Sequence, residues 1–161
     1  MTQRSAGVLF YRINGAEAEV LLVHPGGPFW RKKEVGAWQI PKGLIAPEER
    51  ALDAARREVA EELGLQLEGE PFRLGEVQQA GGKLVEAFAL EQQIDLDAIQ
   101  SNVFEMEWPP RSGKRQSFLE VDRARWFTIP DATIMMLASQ RPLLALVADF
   151  LRNPREMDVP R

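Results

Sequence analysis

The chain predicts an α/β sandwich of about three layers, on three observations. Strand-like and helical segments alternate along 161 residues, with no long linker and no internal repeat. Residues 47–63 carry the apolar spacing of an amphipathic helix, and two further helical segments close the chain. A hydrophobic content of 45% supplies one buried core for a domain of this length. The expected organisation is a single domain over residues 1–155 with a frayed tail at 156–161.

Residues 7–12 (GVLFYR) and 20–25 (VLLVHP) are rich in β-branched and aromatic residues and flank the turn-forming pair Asn14-Gly15, so they read as a hairpin. Residues 26–36 form a loop dense in glycine, aromatic and basic residues, and Ala37 to Ile40 reads as a short strand stopped by Pro41. Pro47 suits a first helical turn, Glu48 and Glu49 favour its positive end, and Gly64 ends it. Leu52, Ala55, Val59 and Leu63 share a narrow arc, the expected buried face; Glu58, Glu61 and Glu62 occupy another arc that need not be buried. Phe72 to Gln79 and Lys83 to Leu90 read as strands around Ala80-Gly81-Gly82. A short helical turn at 95–100, a loop at 108–116 and a strand within 118–129 follow. Asp131 to Ser139 and Pro142 to Asn153 read as closing helices, the second with Leu143, Leu144, Val147 and Leu151 on its apolar side.

Composition excludes several function classes. There is no cysteine, hence no disulfide and no thiolate metal site. The net charge of −4 argues against general nucleic-acid binding, which calls for a basic excess. The first residues lack the apolar run of a signal peptide and no stretch is long enough to span a membrane, so a cytoplasmic protein without a membrane partner is expected. His24, the only histidine, cannot form a conventional pair of catalytic histidines and reads as loop structure.

The chemistry concentrates on Glu58, Glu61 and Glu62. Like charges at this spacing destabilise a helix, and divalent cations held by oxygen ligands are the natural compensation. An isolated E-x-x-E-E is more often a solvated helix face; the context changes that reading. Gly43, Glu49, Arg57, Glu58, Val59, Glu61, Glu62, Gly64 and Leu65 fill every fixed place of G-x5-E-x7-R-E-U-x-E-E-x-G-U, where U is a bulky aliphatic. Seven fixed identities coincide by chance on the order of once in a billion start points. In this the chain resembles the Nudix hydrolase superfamily.

The resemblance implies an α/β/α sandwich with a mixed sheet and a loop–helix–loop box. It implies a metal-dependent pyrophosphohydrolase using magnesium, with manganese as a substitute. It assigns Glu58, Glu61 and Glu62 as metal ligands, with the Gly43 carbonyl as a further one. Glu61 and Glu120, the latter ahead of Trp126, are the alternatives for the general base. Arg57 joins the catalytic set by holding loop and helix together with Glu49.

The run Trp38-Gln39-Ile40-Pro41-Lys42-Gly43 is similar to the W-x-[hydrophobic]-P-K-G segment of hydrolases of dinucleoside polyphosphates and diphosphoinositol polyphosphates. The stretches HPGGPFW, GAWQIPKG and EWPPRSGKRQ look like a bacterial group of predicted nucleoside-triphosphate pyrophosphohydrolases. A tyrosine usual in dinucleoside tetraphosphate hydrolases beyond the box is missing, with Gln79 to Gly82 in its place. The substrate is expected to be a nucleoside diphosphate linked to another moiety, with a dinucleoside polyphosphate or nucleoside triphosphate leading. A nucleotide-sensing domain without catalysis and removal of pyrophosphate from RNA 5′ ends are the alternatives. Lys42 supplies a compact positive charge for phosphate, and Arg31, Lys32 and Lys33 with Arg111, Lys114 and Arg115 supply more from loops. Phe29, Trp30, Phe104 and Trp108 are the aromatic candidates for a nucleobase, with loop packing as their other reading. Because Nudix domains are often dimers, a homodimer is an expected assembly; Ile134 to Leu137, its apolar candidate, reads equally well as core.

Overall fold

The computed structural model describes residues 3–153, so the expected frayed tail lies outside the described residues. The first strand, β1 (Arg4–Asn14), is the middle of the fold. Its alternation sends Ala6, Val8 and Phe10 to one apolar cluster and Leu9 and Tyr11 to another. A strand buried on both faces reads as a continuous apolar run, which explains why Gly7 to Tyr11 contains no polar residue.

β1 pairs antiparallel with β2 (Glu17–Pro25) across the Asn14-Gly15 turn and parallel with β5 (Leu84–Glu91) on its other side. β4 (Phe72–Gln78) extends the sheet beyond β5, and β8 (Val121–Thr128) pairs with β2. The order is β4-β5-β1-β2-β8, a mixed sheet. The helix α1 (Ala51–Leu63) covers one face through Ala54, Ala55, Val59 and Leu63. The opposite face is covered by α2 (Ile129–Met135) and α3 (Pro142–Arg152), the latter through Leu143, Leu144, Val147 and Phe150. The predicted three layers are therefore present.

Several expectations shift. The short strand expected at 37–40 is replaced by two isolated bridges, at Trp38 and Gln39, and the regular strand is β3 (Lys42–Leu44). The cause is a splay between β1 and β2. Their register covers only Tyr11–Asn14 against Glu17–Val20, and residues 38–44 wedge into the opening. Gln39 exchanges backbone bonds of 2.8 and 2.9 Å with Val23, and β3 pairs with Ser5–Gly7. The first helix starts at Ala51, not 47: Glu48 has φ 66°, and Glu49 is engaged elsewhere. Gly64, at φ 67°, ends the helix as expected, its N–H reaching the Ala60 carbonyl at 2.9 Å.

The strand expected within 118–129 divides at Glu120. Its first part joins β7 (Arg115–Leu119), paired with β6 (Val103–Glu107) in a separate two-stranded ribbon. The helix expected at 131–139 is α2, capped by the Thr128 side chain, and it stops at Met135. No helix among the described residues is long and apolar enough to cross a membrane.

Candidate metal and phosphate site

The wedge between β1 and β2 carries Lys42 and Gly43 to the face of α1 that bears the glutamates. Gly43 is a necessity of close approach: a Cβ there would lie 2.0 Å from the Glu58 carboxyl carbon. The Lys42 backbone N–H donates to the Glu62 carboxylate at 3.0 Å. Glu58 and Glu62 are therefore not on a free arc, as their position on the helix implied, but are each only 9% exposed. Lys42 and Gly43, which lie outside the helix, pack against that arc and cover it.

Glu120 enters from the break between β7 and β8. Its backbone is fixed at both ends, its N–H bonded to the Asn102 carbonyl and its carbonyl to the Gly26 N–H, at 2.9 and 3.0 Å. A pocket of about 230 Å³ is lined by Val23, Pro25, Gln39, Ile40, Lys42, Glu62, Glu120 and Val121. A larger cavity of about 410 Å³ lies between residues 96–101 and β8 and contains none of the four glutamates.

Burial and mutual repulsion set the electrostatics of these carboxylates. Burial, then the Glu58 charge, pushes the Glu62 carboxyl from 4.5 up to about 8, with Lys42 opposing. Glu58 is raised by burial first, against the lowering effect of Arg57, with Glu61 repulsion adding to the rise. Glu120 is raised by burial and then by Glu61. Burial lowers Lys42, offset by the attraction of Glu62.

Arg57 is the mechanical centre of the box. Its Nε and Nη2 donate to both oxygens of Glu49 at 3.0 Å, and Nη2 also reaches the Leu44 carbonyl at 2.8 Å. Nη1 donates to Glu58 at 2.8 Å and lies 3.4 Å from both oxygens of Glu61. One guanidinium thus ties the loop before the helix to two candidate ligands, a use of the fork that lysine cannot reproduce.

The donor set fits a hard divalent cation: carboxylates and a glycine carbonyl, all oxygen, with the Glu58 carboxyl brought against the Gly43 backbone because no Cβ stands between them. Among the described residues no three acidic or histidine side chains already converge as a closed cage. Magnesium, which retains waters and shares ligands with substrate phosphates, does not need one.

The remaining sequence candidates divide. Arg31, Lys32, Lys33, Phe29 and Trp108 line a separate cleft of about 350 Å³. Arg111 and Lys114 lie on the exposed turn of the β6–β7 ribbon and line neither this cleft nor the carboxylate pocket. Trp30 packs against the core, and Phe104 pairs with Phe118 at 5.9 Å. Ile134 is exposed, whereas Met136 is buried.

His24 is a fully buried residue of β2, not loop structure. Its Nδ1 lies 2.8 Å from the Asp122 carboxylate and its Nε2 2.6 Å from the Lys33 carbonyl. Sequence reasoning also missed Gln140, buried behind the wedge, whose side-chain oxygen accepts the Ile40 N–H at 3.0 Å. Its partner lies 100 residues earlier, and no local pattern announces the pair.

The chain matches the family model of the NUDIX domain over residues 1–147. Solved structures share the fold. The Ap4A hydrolase of C. elegans in a binary complex is 23% identical with a TM-score of 0.66, covering 92% of this chain and 98% of its own. The NUDIX domain of Shewanella oneidensis NrtR complexed with ADP ribose is 18% identical with a TM-score of 0.67, covering 94% and 89%. A putative NUDIX hydrolase from Listeria monocytogenes is 17% identical with a TM-score of 0.65, covering 97% and 98%. No match was found among curated proteins. With its box complete and the match running through nearly the whole sequence, the chain belongs to the NUDIX domain family, the family of the Nudix pyrophosphohydrolases.

Proposed function

We propose that the protein is a magnesium-dependent pyrophosphohydrolase acting on a nucleoside diphosphate linked to a further moiety, with dinucleoside polyphosphates and nucleoside triphosphates as the leading substrates. The observation that carries this reading is the pocket lined by Glu62, Glu120 and Lys42, next in sequence to Gly43, which packs against Glu58. Glu58, Glu61, Glu62 and the Gly43 carbonyl would hold the cation; manganese would serve in place of magnesium. The bound cation supplies charge neutralisation at the phosphates and acidifies water.

The chain's own residues do the rest. Lys42, half-buried beside Glu62, places a positive charge on the phosphate side of the pocket. Arg57 keeps Glu58 and Glu61 pointed at the same space. We assign Glu120 to take the proton of the attacking water. Among the described residues its carboxylate makes no hydrogen bond or ion pair, whereas Glu61 shares its oxygens with Arg57. A raised carboxyl is better matched to proton transfer near neutral pH than an ordinary one. Arg31 and Lys32 extend the positive charge along the neighbouring loop, and Arg111 and Lys114 are kept as outer contacts for long polyphosphates.

The test is a panel of dinucleoside polyphosphates, nucleoside triphosphates and ADP-ribose incubated with magnesium, with products identified by mass. The native protein is expected to cleave at least one, and Glu61→Gln and Glu62→Gln to lose that activity. Glu120→Gln should lower kcat by roughly 10²–10⁴ while retaining metal binding. A native protein inert on the whole panel contradicts the enzyme reading and leaves a nucleotide sensor.

A further inference from the structure

We infer that Phe29 and Trp108, with Arg31 and Lys32, form a subsite for the nucleobase end of a nucleoside polyphosphate, whose phosphates run along the 26–33 loop to the carboxylate pocket. The inference rests on the pyrophosphohydrolase reading for the direction of the phosphates, and it favours a nucleoside substrate where the Trp38–Gly43 segment leaves two substrate classes open.

The loop that builds the cleft begins at the carboxylate pocket. Pro25 lines that pocket, and the Gly26 N–H is held by the Glu120 carbonyl at 3.0 Å. The Phe104 ring closes on the next residue, where a Cβ on Gly27 would lie 3.0 Å from its Cζ. From Pro25 to Phe29 is at most about 14 Å of extended chain, so cleft and pocket lie within reach of one elongated ligand. The β6–β7 ribbon brings Trp108 to the same place. Its ring meets that of Phe29 at 5.5 Å and 78°, edge to face.

The chemistry of the walls specifies the occupant. Phe29 is 64% exposed, a large aromatic surface left uncovered. An edge-to-face pair leaves ring faces open to a third planar ring. Lys33 is occupied, its Nζ lying 5.3 Å over the Trp30 ring. Arg31 and Lys32 have no acidic partner within salt-bridge distance among the described residues, in a chain of net charge −4. Open aromatic faces beside unpaired cations are complementary to a planar base carrying phosphate. A diphosphoinositol polyphosphate offers charge but no planar aromatic ring to stack. A volume of about 350 Å³ falls within the usual range for small-molecule sites.

The cleft is also held rigid from behind. His24 grips the Lys33 carbonyl and Asp122 together, and Glu34 pairs with Arg123 on β8. The cationic stretch is thereby fixed to the sheet before ligand arrives, which reduces the ordering that binding must pay for.

The test compares AMP with ribose 5-phosphate, which differ only by the base and contain no phosphoanhydride to be cleaved. Affinities are measured by NMR titration of the native protein, Phe29→Ala and Trp108→Leu, with the indole N–H signals as a second readout. The native protein is expected to prefer AMP by about tenfold, the equivalent of about 1.4 kcal/mol and the low end for a base on an aromatic ring. Each variant should abolish most of that preference. Equal affinities in the native protein, or an undiminished preference in folded Phe29→Ala, would overturn the inference. Phe29 is exposed, so this variant tests it even where Trp108→Leu fails to fold. A native preference for AMP without hydrolysis of any nucleotide would sink the enzyme reading and leave the subsite standing. Hydrolysis with an unaltered preference in the variants would do the reverse.

Discussion

Glu62→Gln should stabilise the metal-free protein while destroying the site. The Glu62 carboxyl titrates near 8 in the folded chain against 4.5 as its ordinary value. A group raised by folding contributes stability that is present below its unfolded value and lost as pH rises through its folded one. Forcing this carboxylate to ionise thus opposes folding by about 4 kcal/mol at pH 8 and by less than about 1 kcal/mol at pH 5. Glutamine removes the charge and keeps an oxygen for the Lys42 N–H, bonded at 3.0 Å in the native chain. The opposing attraction and hydrogen bond of Lys42 are already contained in that raised value, so the variant gains up to about 4 kcal/mol at pH 8. For a chain of this size that is up to about 8–16 °C in Tm. The assay is thermal unfolding in a chelator at pH 5 and pH 8, native against variant. A variant that melts no higher than the native protein at pH 8, or gains as much at pH 5, refutes the reasoning. Added magnesium should reverse the order, since only the native site gains stability from the ion.

Gly43→Ala should fold at a loss of about 1–3 kcal/mol and bind divalent cations poorly, because its methyl takes the space of the Glu58 carboxyl; calorimetric metal titration checks it. Arg57→Lys should weaken metal affinity by about 10–100-fold, the usual effect of removing a residue that orients ligands, since an ammonium cannot span Glu49, Leu44 and Glu58; native-like affinity in the variant would contradict it. His24→Gln should lower stability by about 2–4 kcal/mol and raise KM more than kcat, because the loop carrying Arg31 and Lys32 loses its tie at Lys33; denaturant unfolding and steady-state kinetics read the two effects.

The box was legible because its residues meet through local geometry. Glu49 and Arg57 are eight apart and meet across the first turns of α1, and Gly64 closes the helix where its position says it should. What the sequence withheld comes from distant chain. Helical periodicity placed Glu58 and Glu62 off the arc of Leu52, Ala55, Val59 and Leu63, and they are buried where Lys42 and Gly43 pack against them. The helix began late because Glu49 is drawn to Arg57 and the Ala46 N–H, bonds a propensity argument cannot weigh. The β6–β7 ribbon escaped notice because Glu105, Glu107 and Arg115 alternate in an exposed ribbon with little buried face. His24 and Asp122 lie 98 residues apart, and the other partner is a backbone carbonyl, so no residue pattern marks the clamp.

Divalent-metal occupancy of the carboxylate pocket is the claim on which the account stands, and manganese binding followed by electron paramagnetic resonance tests it directly. At pH 8 the native protein is expected to bind manganese, to release it to excess magnesium, and to lose binding in a folded Glu58→Gln/Glu62→Gln double variant. Equal binding by that double variant, or none by the native protein at millimolar metal, would contradict it.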